Sequence, residues 1–256
     1  PEMFDGFLNT SIIKRARDNG SVIINVHNFR DYSLDKHGRV DDYPYGGGAG
    51  MLMQAQPVYD AYESVCKNIP ENHKKRVIYV TPQGYPFTQR MAEEFAKEED
   101  LIFLCGHAEG IDERVLEEIV VDYMSIGDYV LTGGEMPALI IMDAVSRFIP
   151  GVLGKLASAE EDSFSTGMLE YPQYTRPVDF EGLVVPEVLR NGNHALIATW
   201  RRKKSLKATY RLRPDLLSQE VIDAIHGKVP RDMKKAEKKF YAEVREELAQ
   251  EDNEGE

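Results

Sequence analysis

Short apolar runs alternate with amphipathic segments through the middle of the chain. Apolar runs at 76–82 and 101–105, and a third that ends at Leu131, predict strands. Apolar residues at helical spacing predict helices near 89–97, 112–120 and 136–148. The strand runs are nearly continuous, which is typical of strands buried on both faces. This alternation predicts an α/β domain, in which helices cover a parallel sheet.

The flanking segments have weaker patterns. Residues 7–16 carry apolar positions at helical spacing before Asn19 and Gly20, and 22–26 predict a strand. The stretch 28–51 has no period and many turn formers, which predicts a long loop, and 157–177 loses periodicity again. The sequence therefore predicts an α/β domain at 1–156, a flexible interdomain linker at 157–177 and a helical domain at 178–256. A last helix is expected near 231–248.

Composition restricts the class of protein. Of the 256 residues, 42% are hydrophobic and 29% are charged, as in ordinary soluble globular proteins. No run approaches eighteen apolar residues and the N-terminal segment does not have the pattern of a signal peptide, so we expect a cytoplasmic protein without a membrane partner. Cys66 and Cys105 lie far apart without metal-ligand spacing, which indicates neither a disulfide framework nor a metal site.

Charge is unevenly distributed along the chain. The formal net charge of -12 would repel nucleic acid on average, which argues against a non-specific nucleic-acid coat. The segment 200–213, "WRRKKSLKATYRLR", is nevertheless strongly basic and contains Trp200 and Tyr210, whereas the chain ends in an acidic segment. The interleaved aromatic residues favour contact with an RNA backbone over a merely solvated helix face, which would carry the same charges.

Three glycine-bearing loops follow the predicted strands, at 81–84, 105–110 and 131–135. The carboxyl ends of parallel strands share one edge of a sheet, where ligands bind. Glycine lets the backbone approach a ligand closely, although each loop taken alone is more typical of a tight turn. "YGGGAGM" lacks the Lys-Ser/Thr of a phosphate-binding loop, and no GxGxxG motif follows the first strand. A dinucleotide or triphosphate is therefore disfavoured, and an adenosyl ligand without phosphates remains open.

Several longer motifs occur in a fixed order. They are "FRDYSLDKHGRVDDYPYGGGAGM", "CGHAEGIDER", "SIGDYVLTGGE", "RFIPGVLG", "EEDSF", "YPQYTRP" and "NGNHALIATWRRKKSL". Together they resemble the bacterial tRNA (guanine-N1)-methyltransferases, which modify guanosine 37 beside the anticodon. The resemblance implies a SPOUT fold, whose parallel sheet ends in a deep trefoil knot, followed by a smaller all-helical domain. It also implies S-adenosylmethionine as the cofactor, tRNA with guanosine at position 37 as the substrate, and a homodimer.

The same resemblance implies site residues. The implied cofactor-binding positions are Thr81, Pro82, Gly106, Glu109, Ile126, Gly127, Tyr129, Leu131, Gly133, Gly134 and Pro137. The implied contacts to guanine or tRNA are Tyr45, Gly46, Gly47, Gly48, Met51, Glu170, Arg201, Arg202 and Lys203. Glu109 and Glu170 also match acidic positions that would organise the cofactor or Mg²⁺. The linker aspartate of one subunit would face the cofactor bound by the other, so activity would require the dimer.

The chemistry of guanine methylation requires a base and a cation. Guanine N1 carries a lactam proton and is a poor nucleophile, so a base must remove that proton and a cation must stabilise charge at O6. Asp162 matches the base of the resembled family, and Arg147 matches its arginine near O6. Without the resemblance, Asp162 would be interpreted as a turn-forming side chain and Arg147 as an i,i+4 partner of Asp143.

Two features depart from the family pattern. The chain reads "GHAEG", with Ala108 where the family usually has an aromatic residue at the cofactor pocket. A small residue there would pack less well against the ligand, so the alternative function is a non-catalytic or cofactor-impaired RNA-binding homologue. A nucleotide-dependent metabolic enzyme is a further alternative, which the missing phosphate-loop motifs disfavour. The chain also begins without the short apolar strand that usually precedes "PEMF" in the family.

Overall fold

The computed structural model describes residues 1–154 and 163–254. These residues belong to two compact units, Pro1–Leu156 and Ala157–Glu256. Each unit has its own strands, helices and apolar core, and the two are described separately. Among the described helices, none combines the length and the apolar composition needed to cross a membrane.

The first unit combines helices with a parallel sheet. Its helices are α1 (Asp5–Leu8), α2 (Ser11–Asp18), α3 (Ala55–Cys66), α4 (Gln89–Phe95), α5 (Glu113–Ile119) and α6 (Glu135–Ser146). Its strands are β1 (Asp41–Asp42), β2 (Leu52–Met53), β3 (Lys75–Pro86), β4 (Asp100–Cys105) and β5 (Asp122–Ser125). Strand β3 lies at the centre of a three-stranded sheet of order β4-β3-β5, and both pairings are parallel. The prediction of an α/β fold with a parallel sheet is therefore confirmed.

Side chains of β3 alternate between two apolar cores. Val77 and Tyr79 pack with residues of β4, α3 and α5. Ile78 and Val80 pack on the opposite face with residues of α4 and α6. All of these side chains are buried, because helices cover both faces of the sheet. A strand in this environment needs no polar face, which explains its continuous apolar run.

Strand β5 ends earlier than the sequence pattern predicts. The Ser125 hydroxyl donates to the carbonyl of Gly127 at 3.0 Å and accepts the N–H of Gly127 at 3.2 Å. Gly127 has a φ of +149°, and Val130 beyond it is 82% exposed. The prediction of a strand that reaches Leu131 is therefore wrong, because these local hydrogen bonds take the place of ladder bonds.

Two predictions near the N-terminus also need correction. Residues 22–26 belong to no strand among those described, and Ile23 is 86% exposed. An apolar run becomes a strand only where a neighbouring strand accepts its hydrogen bonds, and none does so here. The single helix predicted at 7–16 is divided into α1 and α2 at Asn9 and Thr10. Helix α3 was missed by the pattern altogether.

The second unit is mainly helical. Its helices are α7 (His194–Leu212), α8 (Gln219–Ile225) and α9 (Lys235–Glu254), and its core contains Leu206, Ala224, Ile225, Phe240, Tyr241, Val244 and Leu248. Strands β6 (Asp179–Phe180) and β7 (Leu183–Val184) form an antiparallel hairpin. The prediction of an all-helical C-terminal domain is wrong at this hairpin, where Gly182 at a φ of +88° makes the turn. The last helix also begins and ends later than predicted.

Ion pairs join α7 to α9 along most of the basic segment. Lys207, whose side chain is only 5% exposed, lies 2.9 Å from the carboxylate of Glu247. We call this set of contacts the ion-pair seam. Its main pairs are Arg202 with Glu237, Lys203 with Glu243 and Glu247, Lys207 with Glu247 and Glu251, and Arg211 with Glu251 and Asp252. Most positive charges of 200–213 are therefore neutralised by the acidic last helix.

The ion-pair seam predicts that acid destabilises the second unit. Burial by itself would raise the pKa of Glu247, but hydrogen bonds and charges from Lys207 and Lys203 bring this pKa below its usual value of 4.5. A carboxylate with a lowered folded pKa stabilises the fold above its unfolded pKa, and that contribution is lost as the pH falls through the folded pKa. We expect the free energy of unfolding to decrease below about pH 4.5. Urea unfolding followed by the fluorescence of Trp200, the one tryptophan of the chain, measures this.

A matched variant separates the ion-pair seam from general acid effects. In Lys207→Met, Glu247 and Glu251 lose a neighbouring ammonium group, so their folded pKa values lie closer to the unfolded ones. We therefore expect a shallower acid dependence in this variant than in the unmodified chain. Parallel profiles for the two proteins would contradict the assigned role of the pairs.

Candidate active site

A cavity of about 410 Å³ lies at the carboxyl edge of the three-stranded sheet. Its walls are the end of β3, the loop after β4 and the loop between β5 and α6. These contain the three glycine-bearing segments, and parallel strands bring their carboxyl ends to one edge. Every residue predicted to bind the cofactor lines the cavity, namely Thr81, Pro82, Gly106, Glu109, Ile126, Gly127, Tyr129, Leu131, Gly133, Gly134 and Pro137.

Two of these loops meet backbone to backbone. The N–H of Gly134 donates to the carbonyl of Gly106 at 2.8 Å, and His107 forms an isolated antiparallel bridge with Gly133. A Cβ at residue 134 would lie 2.7 Å from the Cα of Cys105 and 2.9 Å from the nitrogen of Gly106. Real side chains do not fit at such distances. Glycine is therefore required at position 134, because the end of the neighbouring strand leaves no room for a Cβ. Gly134 also forms part of the cavity wall.

The cavity lining carries negative side-chain charge. Glu109 and Glu113 both line it, and the described lining residues include no lysine or arginine. This arrangement favours a ligand with positive charge and disfavours phosphate groups. Beneath the cavity, burial and the negative charge of Glu135 raise the pKa of the Cys105 thiol to about 12. Cys105 therefore stays protonated near neutral pH and is not a reactive nucleophile.

Sequence reasoning missed Tyr79 as part of the cavity wall. A Cβ at Gly106 or at Gly110 would lie 2.9 Å from the Tyr79 hydroxyl, so this side chain fills the space behind both glycines. Tyr79 is 7% exposed, and its burial raises the pKa of the phenol. The available signal was a single aromatic residue within the predicted apolar run at 76–82. Glu113 was also missed, because a carboxylate in the first turn of a helix is ordinarily a favourable dipole partner.

The predicted guanine-binding loop is attached to the second glycine-bearing loop. The N–H of Glu109 donates to the carbonyl of Met51 at 3.2 Å, and the N–H of Met53 donates to the carbonyl of Gly110 at 3.0 Å. Met51 is thereby held beside a cavity residue. The other predicted members of this loop lie away from such contacts: Tyr45 is fully exposed, and Gly46, Gly47 and Gly48 have open space at their Cβ positions.

Gly50 is expected to be intolerant of any side chain. It has a φ of +91°, and a Cβ there would lie 2.3 Å from Oε1 and 2.6 Å from Cγ of Glu109. In Gly50→Ala, the alanine would have to adopt a left-handed backbone conformation, which costs about 1–2 kcal/mol of stability. Its Cβ would also push Glu109 from its place in the cavity wall. We expect lower stability in urea and, by calorimetry, weaker binding of S-adenosylmethionine, the cofactor implied by the sequence resemblance.

Gly38→Ala is the control for this substitution. Gly38 has a similar φ of +71° but open space at its Cβ position, so it carries the backbone strain without the contact. We expect Gly38→Ala to lose stability only and to keep its ligand affinity. Equal losses of affinity in the two variants would show that the contact between Gly50 and Glu109 has no role.

The remaining predicted residues are dispersed. Arg147 is the C-cap residue of α6 and is not among the described residues that line the cavity. Asp162 lies outside the described residues. Glu170 belongs to the second unit, where its N–H donates to the Ser163 hydroxyl at 2.9 Å and its carboxylate accepts from Gln173 at 2.6 Å.

The three cations predicted to contact tRNA have different surroundings. Arg202 and Lys203 belong to the ion-pair seam, with carboxylates of α9 at 2.8 Å and 2.6 Å respectively. Arg201 instead stacks on the ring of Tyr171, with its guanidinium carbon 4.5 Å from the ring centroid. Within residues 1–154 and 163–254, no three His, Cys, Asp or Glu side chains cluster in a way that could hold a metal ion.

Comparisons with known proteins agree with one another. The family described as "tRNA (Guanine-1)-methyltransferase TrmD" matches residues 1–219. A protein of Lachnospira eligens named tRNA (guanine-N(1)-)-methyltransferase is 60% identical over 221 residues, which span 86% of this chain and 93% of the relative. A protein of the same name from Bacillus pumilus is 60% identical over 217 residues, with 85% and 88% covered. Another, from Bacillus cereus strain G9842, is 53% identical over 247 residues, with 96% of each chain covered.

Proposed function

Because the chain belongs to the tRNA (guanine-1)-methyltransferase family TrmD, we propose that it methylates N1 of guanosine 37 in tRNA, with S-adenosylmethionine as the methyl donor. The observation that carries the site assignment is the glycine-walled cavity with an acidic lining at the carboxyl edge of the sheet. It contains every position at which the family pattern expects the cofactor.

The residues of the cavity fit S-adenosylmethionine. When bound, this group supplies a methyl group on a positively charged sulfur. Glu109 and Glu113 would provide negative charge for that cation, and the backbones of Gly106, Gly133 and Gly134 would leave room for the adenosyl part. Phosphates would find neither lysine nor arginine among the described lining residues, which disfavours a nucleotide-dependent enzyme.

Asp162 and Arg147 are the proposed catalytic residues. Asp162 would accept the proton of guanine N1, which leaves an electron pair on N1 for the new bond to carbon. Arg147 would hold positive charge near O6, where removal of that proton increases negative charge. The role of Arg147 rests on its match to the family's arginine near O6, since the C-cap of α6 lies ten residues, about 15 Å along the helix, from Pro137 in the cavity wall.

The loop from Tyr45 to Met51 is proposed to hold the guanine. Its hydrogen bond from Glu109 to Met51 places one end of the loop beside the proposed cofactor site. Gly46, Gly47 and Gly48 all have positive φ values, a backbone conformation in which residues with side chains would be strained. A loop of glycines also lets the backbone approach a base closely, which supports the proposed role. Its exposed Tyr45 is available to a tRNA substrate.

A deep trefoil knot and a homodimer are part of the proposal. A knot requires one loop to pass tightly beside another. The hydrogen bond between the backbones of Gly134 and Gly106 supports such a passage. Met136 and Ile140, which are four residues apart on α6, are 48% and 47% exposed. Residues at this spacing share a helix face, so an apolar strip is available to a second copy of the chain.

Methyl transfer to defined transcripts tests the proposed function. The purified chain is incubated with methyl-labelled S-adenosylmethionine and a tRNA transcript that has guanosine at positions 36 and 37. A matched transcript changed only at position 37 is the control, and both reactions are run with and without Mg²⁺. Mass mapping of nuclease fragments then locates the label.

We expect label at N1 of guanosine 37 in the first transcript and none in the control. This result would also show that Ala108 is tolerated at the cofactor pocket. Tight binding of tRNA without methyl transfer would instead favour the non-catalytic RNA-binding homologue. Label at another guanosine would contradict the assigned position while keeping the reaction class.

A further inference from the structure

A group of aromatic and cationic side chains lies beside the ion-pair seam, with Trp200, Arg201 and Lys204 on α7 and with Tyr171 and Tyr174 in the segment before β6. We call it the aromatic cluster, and its members are Tyr171, Tyr174, Trp200, Arg201 and Lys204. All belong to the second unit. None of them is among the buried or packed residues of that unit's apolar core, so core packing does not account for their position.

The aromatic cluster has a defined geometry. The rings of Tyr174 and Trp200 are tilted by 57° with centroids 6.2 Å apart. The Nζ of Lys204 lies 5.9 Å from the centroid of Trp200, and Arg201 stacks on Tyr171 as described above. Tyr174 is 48% exposed, so at least one ring of this group is accessible to a large partner.

Charges near the cluster are less fully paired than those of the seam. The Nζ of Lys204 lies 3.8 Å from the carboxylate of Glu251, whereas that of Lys203 lies 2.6 Å from the carboxylate of Glu243. The Nε of Arg201 is buried and has no hydrogen-bond partner within the described residues. A buried Nε is not accessible to a phosphate, so the α7 charge at the aromatic cluster that is available to one is that of Lys204, whose ion pair is longer than those of Lys203 and Lys207.

We propose that the aromatic cluster binds an unpaired nucleotide of the tRNA substrate, with the base stacked against Trp200 and Tyr174 and a phosphate near Lys204. Aromatic rings stack on bases regardless of sequence, and adjacent cations track the backbone. Base faces are accessible only where the RNA is single-stranded, so the contact selects a loop rather than a stem. This inference rests on tRNA being the substrate, as proposed above, and it adds a contact beyond the methylated guanosine.

Trp200 reports on this contact directly, because the chain has a single tryptophan. A fluorescence titration of the full chain with the tRNA transcript should quench its emission, since a stacked nucleobase quenches an indole. Binding is measured in parallel by filter retention over a range of salt concentrations. Unchanged emission when the protein is saturated with tRNA would overturn the proposal.

Variants separate stacking from charge. Trp200→Leu keeps apolar volume but removes the ring, and we expect its Kd for tRNA to rise about 5- to 150-fold, as for the loss of one base stack. The salt dependence of its binding should not change, because no phosphate contact is lost. Lys204→Met should reduce that salt dependence by about one phosphate contact. Leu212→Ala, which removes an exposed side chain of the same helix, is the control and should bind normally.

The outcomes distinguish this inference from the proposed function. Methyl transfer without quenching, together with a normal Kd for Trp200→Leu, would overturn the stacking site and leave the enzyme assignment intact. Quenching and a weakened Trp200→Leu variant without methyl transfer would support the stacking site and contradict the proposed reaction. S-adenosylmethionine affinity of Trp200→Leu should equal that of the unmodified chain, and a large loss would instead indicate misfolding.

Discussion

Replacing Asp162 with asparagine is expected to lower kcat for tRNA methylation by about 10²- to 10⁴-fold, the usual contribution of a general base. The amide has nearly the shape of the carboxylate but does not accept the N1 proton. Binding of S-adenosylmethionine should be nearly unchanged, because the residues that line the cavity belong to the first unit. Single-turnover methyl transfer and calorimetric titration of the two proteins measure the two quantities.

Neighbouring carboxylates provide the control for this substitution. Glu161→Gln removes the same charge one residue away, and it should retain most of the activity if the effect is specific to Asp162. A pH profile adds an independent test, since a carboxylate base gives a rate that rises with pH until the base is ionised. Equal losses in both variants, or an unchanged profile, would remove Asp162 from the mechanism and leave the cofactor site unaffected.

The segment that follows Asp162 is firmly attached within the second unit. The N–H of Phe164 donates to the carbonyl of Met168 at 2.8 Å, which closes a short turn. The N–H of Leu169 donates to the hydroxyl of Thr209 at 2.9 Å, and Thr209 has no exposed surface. A buried hydroxyl that accepts a backbone N–H is expensive to remove. The linker predicted at 157–177 therefore includes a part that is structured by α7.

Periodicity was sufficient for the sheet but not for the ends of its strands. The run from Val77 to Val80 is apolar because both faces are buried, and this pattern is specific. The end of β5 depends on the hydroxyl of Ser125 and the turn at Gly127, which apolar periodicity does not record. The run at 22–26 has the composition of a strand, yet pairing depends on a neighbour elsewhere in the sequence.

Charge along the sequence was also an incomplete guide to the site. The basic segment 200–213 predicted an RNA-binding face, but Arg202 and Lys207 are paired with carboxylates that lie some forty residues later, as in the pair of Lys207 with Glu251, 44 residues apart. Glycine-bearing loops were a better guide, because the carboxyl ends of parallel strands must share one edge. The packing of Glu109 on Gly50 was invisible to sequence reasoning, since the two residues come from separate loops.

Replacing Gly134 with alanine is expected to cause a large loss of stability in the first unit. The added Cβ would lie 2.7 Å from the Cα of Cys105 and 2.9 Å from both the nitrogen of Gly106 and Cγ2 of Val80. Two of these atoms are backbone atoms at the end of β4, so they cannot rotate away. Overpacking costs about 1–3 kcal/mol where side chains can adjust, and we expect the upper end of that range here.

The same substitution should also weaken S-adenosylmethionine binding, because relief of the contact must separate the loops at 105–107 and 131–134 that form two walls of the cavity. Gly6→Ala is the control: it adds the same methyl group in a helix where, apart from the chain neighbours and the backbone of that helix, no described atom lies within 4 Å of the new Cβ. Urea unfolding should show a large loss for Gly134→Ala and little change for Gly6→Ala. If Gly134→Ala kept both its stability and its affinity for the cofactor, the close backbone approach would not be what holds these two walls together.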